Sequence, residues 1–168
     1  MLKTRVVVLS AMLLMLVFSM PVRAELPGQP HIINNLPQCI EITKFSFQPV
    51  YSQYSTKLKT DVSFRNTGNQ AIEAYRFGFV YYNYFDEKTY SFGGYGLNRV
   101  KPQGSYNASW ESLSGTDALT GFVWIDSLRL ADGTVIKADT SEVARIISET
   151  IKEPISAEAL STVRDNEK

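Results

Sequence analysis

The sequence contains one cysteine, Cys39, and one histidine, His31, among 168 residues. A single cysteine cannot close a disulfide within the chain, and these two residues cannot together supply a catalytic triad or a soft-metal site. We expect Cys39 to be a small buried residue at the start of a strand, with an intermolecular disulfide as the alternative. His31 lies in a proline-rich stretch without a fixed partner, so we expect no catalytic role for it.

Motifs for catalysis and cofactor binding are also missing. The chain has no glycine-rich phosphate loop, no HExxH, no CxxC and no GxSxG. Carboxylates could still provide acid–base chemistry or a calcium site, and the candidates are Asp86, Glu87, Asp126 and Asp132. Asp86, Glu87 and Asp132 fall at predicted turns, which favours solvated roles. The sequence therefore predicts a protein that is not an enzyme and has no metal site and no cofactor.

An excess of charge is absent, with 17 basic and 17 acidic residues. Without a basic stripe to displace counterions from phosphates, a nucleic-acid partner is not expected. The long apolar run is confined to Val6–Met20, follows Lys3 and Arg5, and precedes a Val22-Arg23-Ala24 cleavage pattern. Residues 1–24 are therefore predicted to be a signal peptide. We expect a periplasmic or secreted protein with no stable membrane span after cleavage.

Alternating apolar and polar residues dominate the remainder, and the stretch from Val62 to Phe85 is the centre of this pattern. It predicts a β-hairpin with an outgoing strand, a turn at Asn66–Asn69 and a long returning strand. Side chains alternate across a strand, so one face of the returning strand should be buried. This apolar face comprises Tyr75, Phe77, Phe79, Tyr81 and Phe85.

Further strands are predicted on both sides of this stretch. Ile40–Val50 changes phase near Thr43-Lys44, which indicates a bulge or a crossing between sheets. In residues 58–64 the even-numbered side chains should point inward. Phe122–Ile125 is apolar on both phases and is predicted to be a central strand. Asp132-Gly133 predicts a two-residue hairpin.

About seven strands separated by turn signals predict an all-β fold, an immunoglobulin-like antiparallel β-sandwich over residues 40–138. Residues 25–39, with three prolines, are predicted to be an extended N-terminal lead-in.

Residues 139–168 are predicted to be a C-terminal amphipathic helix followed by a weaker second helix and a tail. Asp139 and Glu142 form a predicted capping box, and apolar residues repeat at helical spacing until Pro154. These apolar residues are Val143, Ile146, Ile147 and Ile151. The helix could cover an open face of the sandwich or dock onto a partner.

The order of several short motifs is informative. Phe64-Arg65-Asn66-Thr67-Gly68 precedes the strand at 72–79, Pro102-Gln103-Gly104 precedes 106–110, and Asp132-Gly133-Thr134-Val135 follows. This order resembles that of FxLYD-like immunoglobulin-fold domains of the bacterial envelope. At the motif that names the family, the chain has Phe79-Val80-Tyr81-Tyr82-Asn83. The resemblance, over residues 40–138, implies the fold and an extracytoplasmic setting, and it implies no catalytic residues.

Aromatic residues crowd into the segment from Tyr75 to Tyr95. If the odd-numbered rings of the returning strand point inward, the remaining tyrosines could form an exposed binding patch. Its candidate members are Tyr82, Tyr84, Tyr90 and Tyr95. Alternatively, the C-terminal helix covers this patch.

The sequence therefore predicts an exported, non-catalytic envelope protein that acts as a protein-interaction or structural module. Its expected partner is another envelope or extracellular protein. The alternative is a carbohydrate-binding module that stacks a glycan on the tyrosine patch, and it predicts sugar-dependent quenching of aromatic fluorescence.

Overall fold

The computed structural model describes residues 28–160, so the predicted signal peptide and the end of the C-terminal tail lie outside the described residues. The described strands are β1 (Gln29–Ile33), β2 (Ile40–Tyr51), β3 (Thr56–Asn66), β4 (Ile72–Tyr82), β5 (Lys88–Gly96), β6 (Ser105–Ser112), β7 (Thr120–Leu130) and β8 (Val135–Lys137). They are followed by α1 (Ser141–Ile151) and a 3₁₀ turn at Glu158–Leu160. Neither helical segment in residues 28–160 has the length and hydrophobicity of a membrane-spanning helix.

Two sheets pack face to face. The larger has the order β1-β7-β4-β5, with β8 also paired to β7, and the smaller has the order β2-β3-β6. This architecture confirms the predicted all-β immunoglobulin-like sandwich with a C-terminal helix. Strand pairing is antiparallel as expected, except that β1 runs parallel to β7.

The predicted hairpin between β3 and β4 is wrong. β3 pairs with β2 and β6, whereas β4 pairs with β5 and β7, so the connection after Asn66 crosses from one sheet to the other. The buried Asn66 amide holds this crossing, because its Nδ2 donates to the carbonyls of Gln70 at 2.7 Å and Val100 at 3.1 Å. The turn signal was correct about the reversal of the chain. However, the apolar faces of the two strands meet across the core instead of lying side by side, with the rings of Phe64 and Phe77 5.2 Å apart.

The inner face of β4 forms the centre of the core. Tyr75, Phe77, Phe79 and Tyr81 are all buried, as the alternation predicts. The Tyr81 hydroxyl and the Thr60 hydroxyl lie 2.7 Å apart, which satisfies both buried polar groups across the two sheets. Phe85, in contrast, is 81% exposed, because β4 ends at Tyr82 and Phe85 lies in the following turn. Its predicted burial is wrong.

The predicted lead-in is extended, but part of it is a sheet strand and not a free segment. β1 pairs with residues Thr120 to Trp124 of β7, outside the predicted sandwich boundary at residue 40. Two asparagines fix the link that follows. Asn34 Oδ1 accepts from the Ile42 amide at 2.7 Å, and Asn35 binds both backbone groups of Ile125 at 2.9 and 3.0 Å. Asn34 is thus bonded to the smaller sheet and Asn35 to the larger one, so the lead-in is part of the fold.

Other strand predictions are confirmed. The register of β2 against β3 shifts between Ile42 and Lys44, at the predicted bulge. Leu58, Thr60, Val62 and Phe64 are all buried, and β7 is a central strand with neighbours on both sides. Gly133 has a φ of 88°, a value that favours glycine, and it closes the β7–β8 hairpin.

α1 begins later than predicted and has no capping box. Thr140 is the N-cap residue, Asp139 Oδ1 accepts a hydrogen bond from the Ser141 amide at 2.9 Å, and Glu142 pairs with Arg145. The predicted second helix is a 3₁₀ turn, where the Ser156 hydroxyl accepts from the Ala159 amide at 3.3 Å.

The outer face of β4 and β7 is covered by α1, so the first of the two alternatives for the helix is confirmed. Four apolar residues of the helix are buried in one cluster with Val80, Tyr82, Phe122 and Trp124. They are Val143, Ala144, Ile147 and Ile151.

We expect Ile147→Ala to lower the free energy of unfolding by about 2–5 kcal/mol, because Ile147 is fully buried between α1 and the sheet. Urea unfolding followed by circular dichroism measures this loss. Glu149→Ala, on the exposed side of the same helix, is the matched control and should cost only about 0.5 kcal/mol. Equal effects of the two variants would mean that α1 does not pack on the sheet.

Candidate binding surface

The structure separates the four predicted site tyrosines. Tyr82 lies on the outer face of β4 beneath the C-terminal segment and is 2% exposed. Burial, and then the nearby Glu153 carboxylate, raise the pKa of the Tyr82 phenol to about 12. Tyr82 also lines a groove of about 420 Å³, together with Lys88, Glu153 and the apolar residues of the 3₁₀ turn.

Tyr90 and Tyr95 lie on opposite faces of β5. Tyr90 pairs with the inward-facing Tyr81 and stacks on Phe92, with ring centroids 5.4 Å apart. Tyr95 pairs with Arg76 and is 69% exposed on the outer face. Side chains alternate between the two faces of a strand, so residues an odd number of positions apart, such as Tyr90 and Tyr95, point to opposite faces. The four tyrosines therefore do not form one patch, because one is covered, one packs on the core, and Tyr84 lies in the β4–β5 turn.

Exposed apolar side chains instead concentrate at one end of the sandwich. Three connections meet there, residues 52–55 between β2 and β3, 83–87 between β4 and β5, and 113–119 between β6 and β7. The strand register places these connections at the same end. In the larger sheet Tyr82 pairs with both Lys88 and Thr120, and in the smaller sheet Leu58 pairs with Ser112. We call the exposed side chains at this end the loop-end surface, which comprises Tyr51, Tyr54, Tyr84, Phe85 and Leu113.

Two of these loops are fixed by their own hydrogen bonds. Ser52 Oγ accepts from the Ser55 amide at 3.1 Å and donates to the Ser55 carbonyl at 2.9 Å. Asn83 Oδ1 accepts from the amides of Phe85 at 2.8 Å and Glu87 at 3.1 Å. Such side-chain bonds to the backbone define tight turns. The most exposed side chains, Tyr54 at 90% and Phe85 at 81%, therefore project from ordered turns.

The third loop is anchored through a glycine. Gly115 has a φ of 72°, and a Cβ there would come within 2.9 Å of Tyr90 and 3.3 Å of Leu58. Any other residue would therefore be strained and crowded at this position. Gly115 lets the loop lie against both sheets while Leu113, which precedes it, stays 71% exposed.

The loop-end surface is weakly acidic. The three connections contain Asp86, Glu87 and Asp117 and no basic residue. Two lysines flank these connections. Lys57 is paired with Glu111 at 2.8 Å, and Lys88 lies at the start of β5.

Sequence reasoning identified Tyr84 alone among these residues. It missed Tyr51, Tyr54 and Leu113, and it placed Phe85 in the core. A usable signal was present, because large apolar residues in turns between sandwich strands have no core to face. However, only the sheet assignment shows that these turns share one end.

The other candidate residues do not assemble a reactive site. Asp126 Oδ2 lies 3.6 Å from Arg76, and Asp132 accepts from the Thr134 amide at 2.8 Å, which lowers the pKa of its carboxyl. Asp132 is at the opposite end from Asp86 and Glu87. His31 stacks on Phe122 at 4.8 Å, and burial lowers its pKa. Among residues 28–160 no group of three or more histidine, cysteine, aspartate or glutamate residues could hold a metal ion.

Comparisons with known proteins give no family. No family model and no curated protein matches the chain. Among solved structures, the chain is similar to a hypothetical protein from Peptoclostridium difficile 630, with 11% identity over 72% of this chain and 95% of the other and a TM-score of 0.49. It is also similar to structural genomics target SoR45, with 14% identity over 60% and 80% of the two chains and a TM-score of 0.44.

We expect the free energy of unfolding to fall as the pH rises from 10 towards 12, because buried Tyr82 and Tyr75 have pKa values of about 12, against 10.0 for a free side chain. In this window the unfolded chain has lost protons that the folded chain keeps, so unfolding is favoured. Tyr82→Phe should reduce the slope, as measured by urea unfolding at several pH values. At pH about 8 the variant and the parent should have similar free energies of unfolding, since Tyr82 of the parent is protonated in both the folded and the unfolded chain. An unchanged slope would contradict burial of Tyr82.

Proposed function

We propose that this protein is an exported, non-catalytic module of the cell envelope that binds another protein through the loop-end surface. The observation that carries the proposal is the concentration of large exposed apolar side chains on three neighbouring loops of one end. Contiguous exposed apolar surface of this kind commonly marks protein-interaction sites. Export is supported by the signal-peptide pattern of residues 1–24 and by the resemblance to FxLYD-like domains.

The residue types at this end suit protein recognition. Tyrosine and phenylalanine provide large contact areas with few rotatable bonds, so little conformational entropy is lost on binding. The ordered turns beneath Tyr54 and Phe85 reduce this loss further. Serine, glycine and asparagine, which accompany them in the loops, supply adaptable hydrogen bonds.

The charge of the surface indicates the partner's chemistry. Asp86, Glu87 and Asp117 lie in the loops of this surface, so a partner surface with lysine or arginine would be attracted and an anionic one repelled. The same charges disfavour an anionic lipid surface, which binds clusters of basic residues.

Site-specific photo-crosslinking in the producing cell tests the surface. A photoreactive amino acid at Tyr54 or at Phe85 should give the same crosslinked protein. Lys101, which is exposed in the β5–β6 connection at the opposite end, is the control position and should not give it. Identical adducts from all three positions, or none from the loop positions, would contradict the proposal.

With the captured partner purified, we expect Phe85→Ala to weaken binding about 10-fold or more, since truncation of a central aromatic anchor costs about 2 kcal/mol. Leu97→Ala is the matched control, because Leu97 is 76% exposed at the other end. Isothermal calorimetry measures both affinities, and equal melting temperatures verify folding. If instead a panel of glycans produces saturable quenching of tyrosine fluorescence that Phe85→Ala removes, the surface is a carbohydrate site.

A further inference from the structure

The edge of the larger sheet formed by β5 is open to pairing. β5 pairs with β4 alone, extends over nine residues, and contains one charged residue, Lys88, and no proline. Exposed edges offer unpaired backbone groups to another strand, so proteins commonly protect them with prolines, charges or bulges. β5 has none of these devices beyond its first two residues.

Two of the other edge strands contain a proline. β1 contains Pro30, and β2 contains Pro49 as well as the bulge between Ile42 and Lys44. β6 has Glu111 near its end, paired with a lysine of β3. β5 thus lacks the prolines of β1 and β2, and it has one charged residue, as β6 does.

The direction of the free backbone groups follows from one hydrogen bond. Trp110 Nε1 donates to the Tyr95 carbonyl at 3.2 Å, so this carbonyl points away from β4. Backbone direction alternates along a strand, so the groups of Gly93 and Ser91 point the same way. Within the described chain, no hydrogen bond satisfies these outward groups of Gly93 and Ser91.

We propose that β5 pairs antiparallel with β5 of a second copy of this chain, about a two-fold axis at Gly93. This axis fixes which residues face one another. Phe92 lies opposite Gly94 of the partner subunit, Tyr90 opposite Gly96 of the partner subunit, and Ser91 opposite Tyr95 of the partner subunit. Gly94 and Gly96 are covered within each subunit by Trp110 and Tyr75, so the pairing rests on the backbone hydrogen bonds of Gly93 and Ser91.

Charge also permits this pairing. Lys88 falls opposite Asn98 of the partner subunit, so the two lysines do not face one another. The Tyr95 carbonyl can keep its bond to Trp110, because a carbonyl oxygen has two lone pairs and can accept a second hydrogen bond. The strand thus complements itself in charge and hydrogen bonding.

The dimer would have a defined functional geometry. Because the paired strands run in opposite directions, the two loop-end surfaces would face opposite ways. This dimer could bridge two partners, which a single copy cannot do. The inference does not depend on the proposed function, since the pairing involves only β5.

Sedimentation velocity of the protein as its host produces it, over a range of concentrations, tests the association. We expect a concentration-dependent dimer. Ser91→Pro removes an amide that makes no bond to β4, so it should raise the dimer dissociation constant about tenfold or more while the monomer stays folded. A monomer at every concentration, or a Ser91→Pro variant that associates as well as the parent, would refute the proposal.

Cysteine crosslinking tests the register independently of the proline variant. In a Cys39→Ser background, Gly93→Cys places two cysteines across the axis, where strand residues lie about 5.5 Å apart and a disulfide can form. Gly93 has no positive φ, so a side chain is tolerated there. Ser91→Cys, on the same edge, is the matched control because its two copies lie several residues apart. Rapid oxidation to a disulfide dimer in Gly93→Cys alone supports the pairing, and equal rates in both variants refute it.

Discussion

The burial of β4 and β7 on both faces is the constraint on which the rest of the structure depends. Phe77 and Ile125 face the smaller sheet, while Val80 and Phe122 face the helix, and all four are fully buried. A two-layer sandwich alone would leave the second set in water. The chain therefore needs a third layer, and α1 is as much a part of the fold as the strands are.

A glycine makes this third layer possible. Trp124 lies over Gly78 so closely that a Cβ on Gly78 would be 2.1 Å from the indole ring. The ring can lie flat on the sheet only because no side chain is present, and it then provides the surface on which α1 packs. The indole nitrogen has no hydrogen-bond partner among the described residues, so apolar packing positions the ring.

Coverage of β4 and β7 by α1 limits the apolar surface that is left for binding. The outer face of the smaller sheet carries solvated ion pairs, such as Lys57–Glu111 and Arg65–Glu41, and few large apolar groups. The apolar surface that remains lies mainly at the loop end and beside β5. The proposed interactions therefore use an end and an edge of the molecule, and the faces serve stability.

Much of the fold could be predicted because alternation is a local property of the chain. Side chains point to opposite faces of any strand, so the burial of Leu58, Phe64 and Tyr81 follows from the sequence alone, as does the bulge after Ile42. The helical spacing after residue 140 is local in the same sense. The sequence by itself therefore determined which segments other than β1 are strands, where the helix lies, and which side of most strands is apolar.

Tertiary structure alone decided which strands are neighbours. β3 and β4 look like a hairpin locally, but the packing of Phe64 against Phe77 places them in different sheets. Coverage by α1 turned Tyr82 from a candidate binding residue into a core residue, and the arrangement of both sheets brought Tyr54 and Phe85 to one end. These outcomes depend on contacts between residues distant in the chain, and the two-residue period of a strand carries no information about its distant partners.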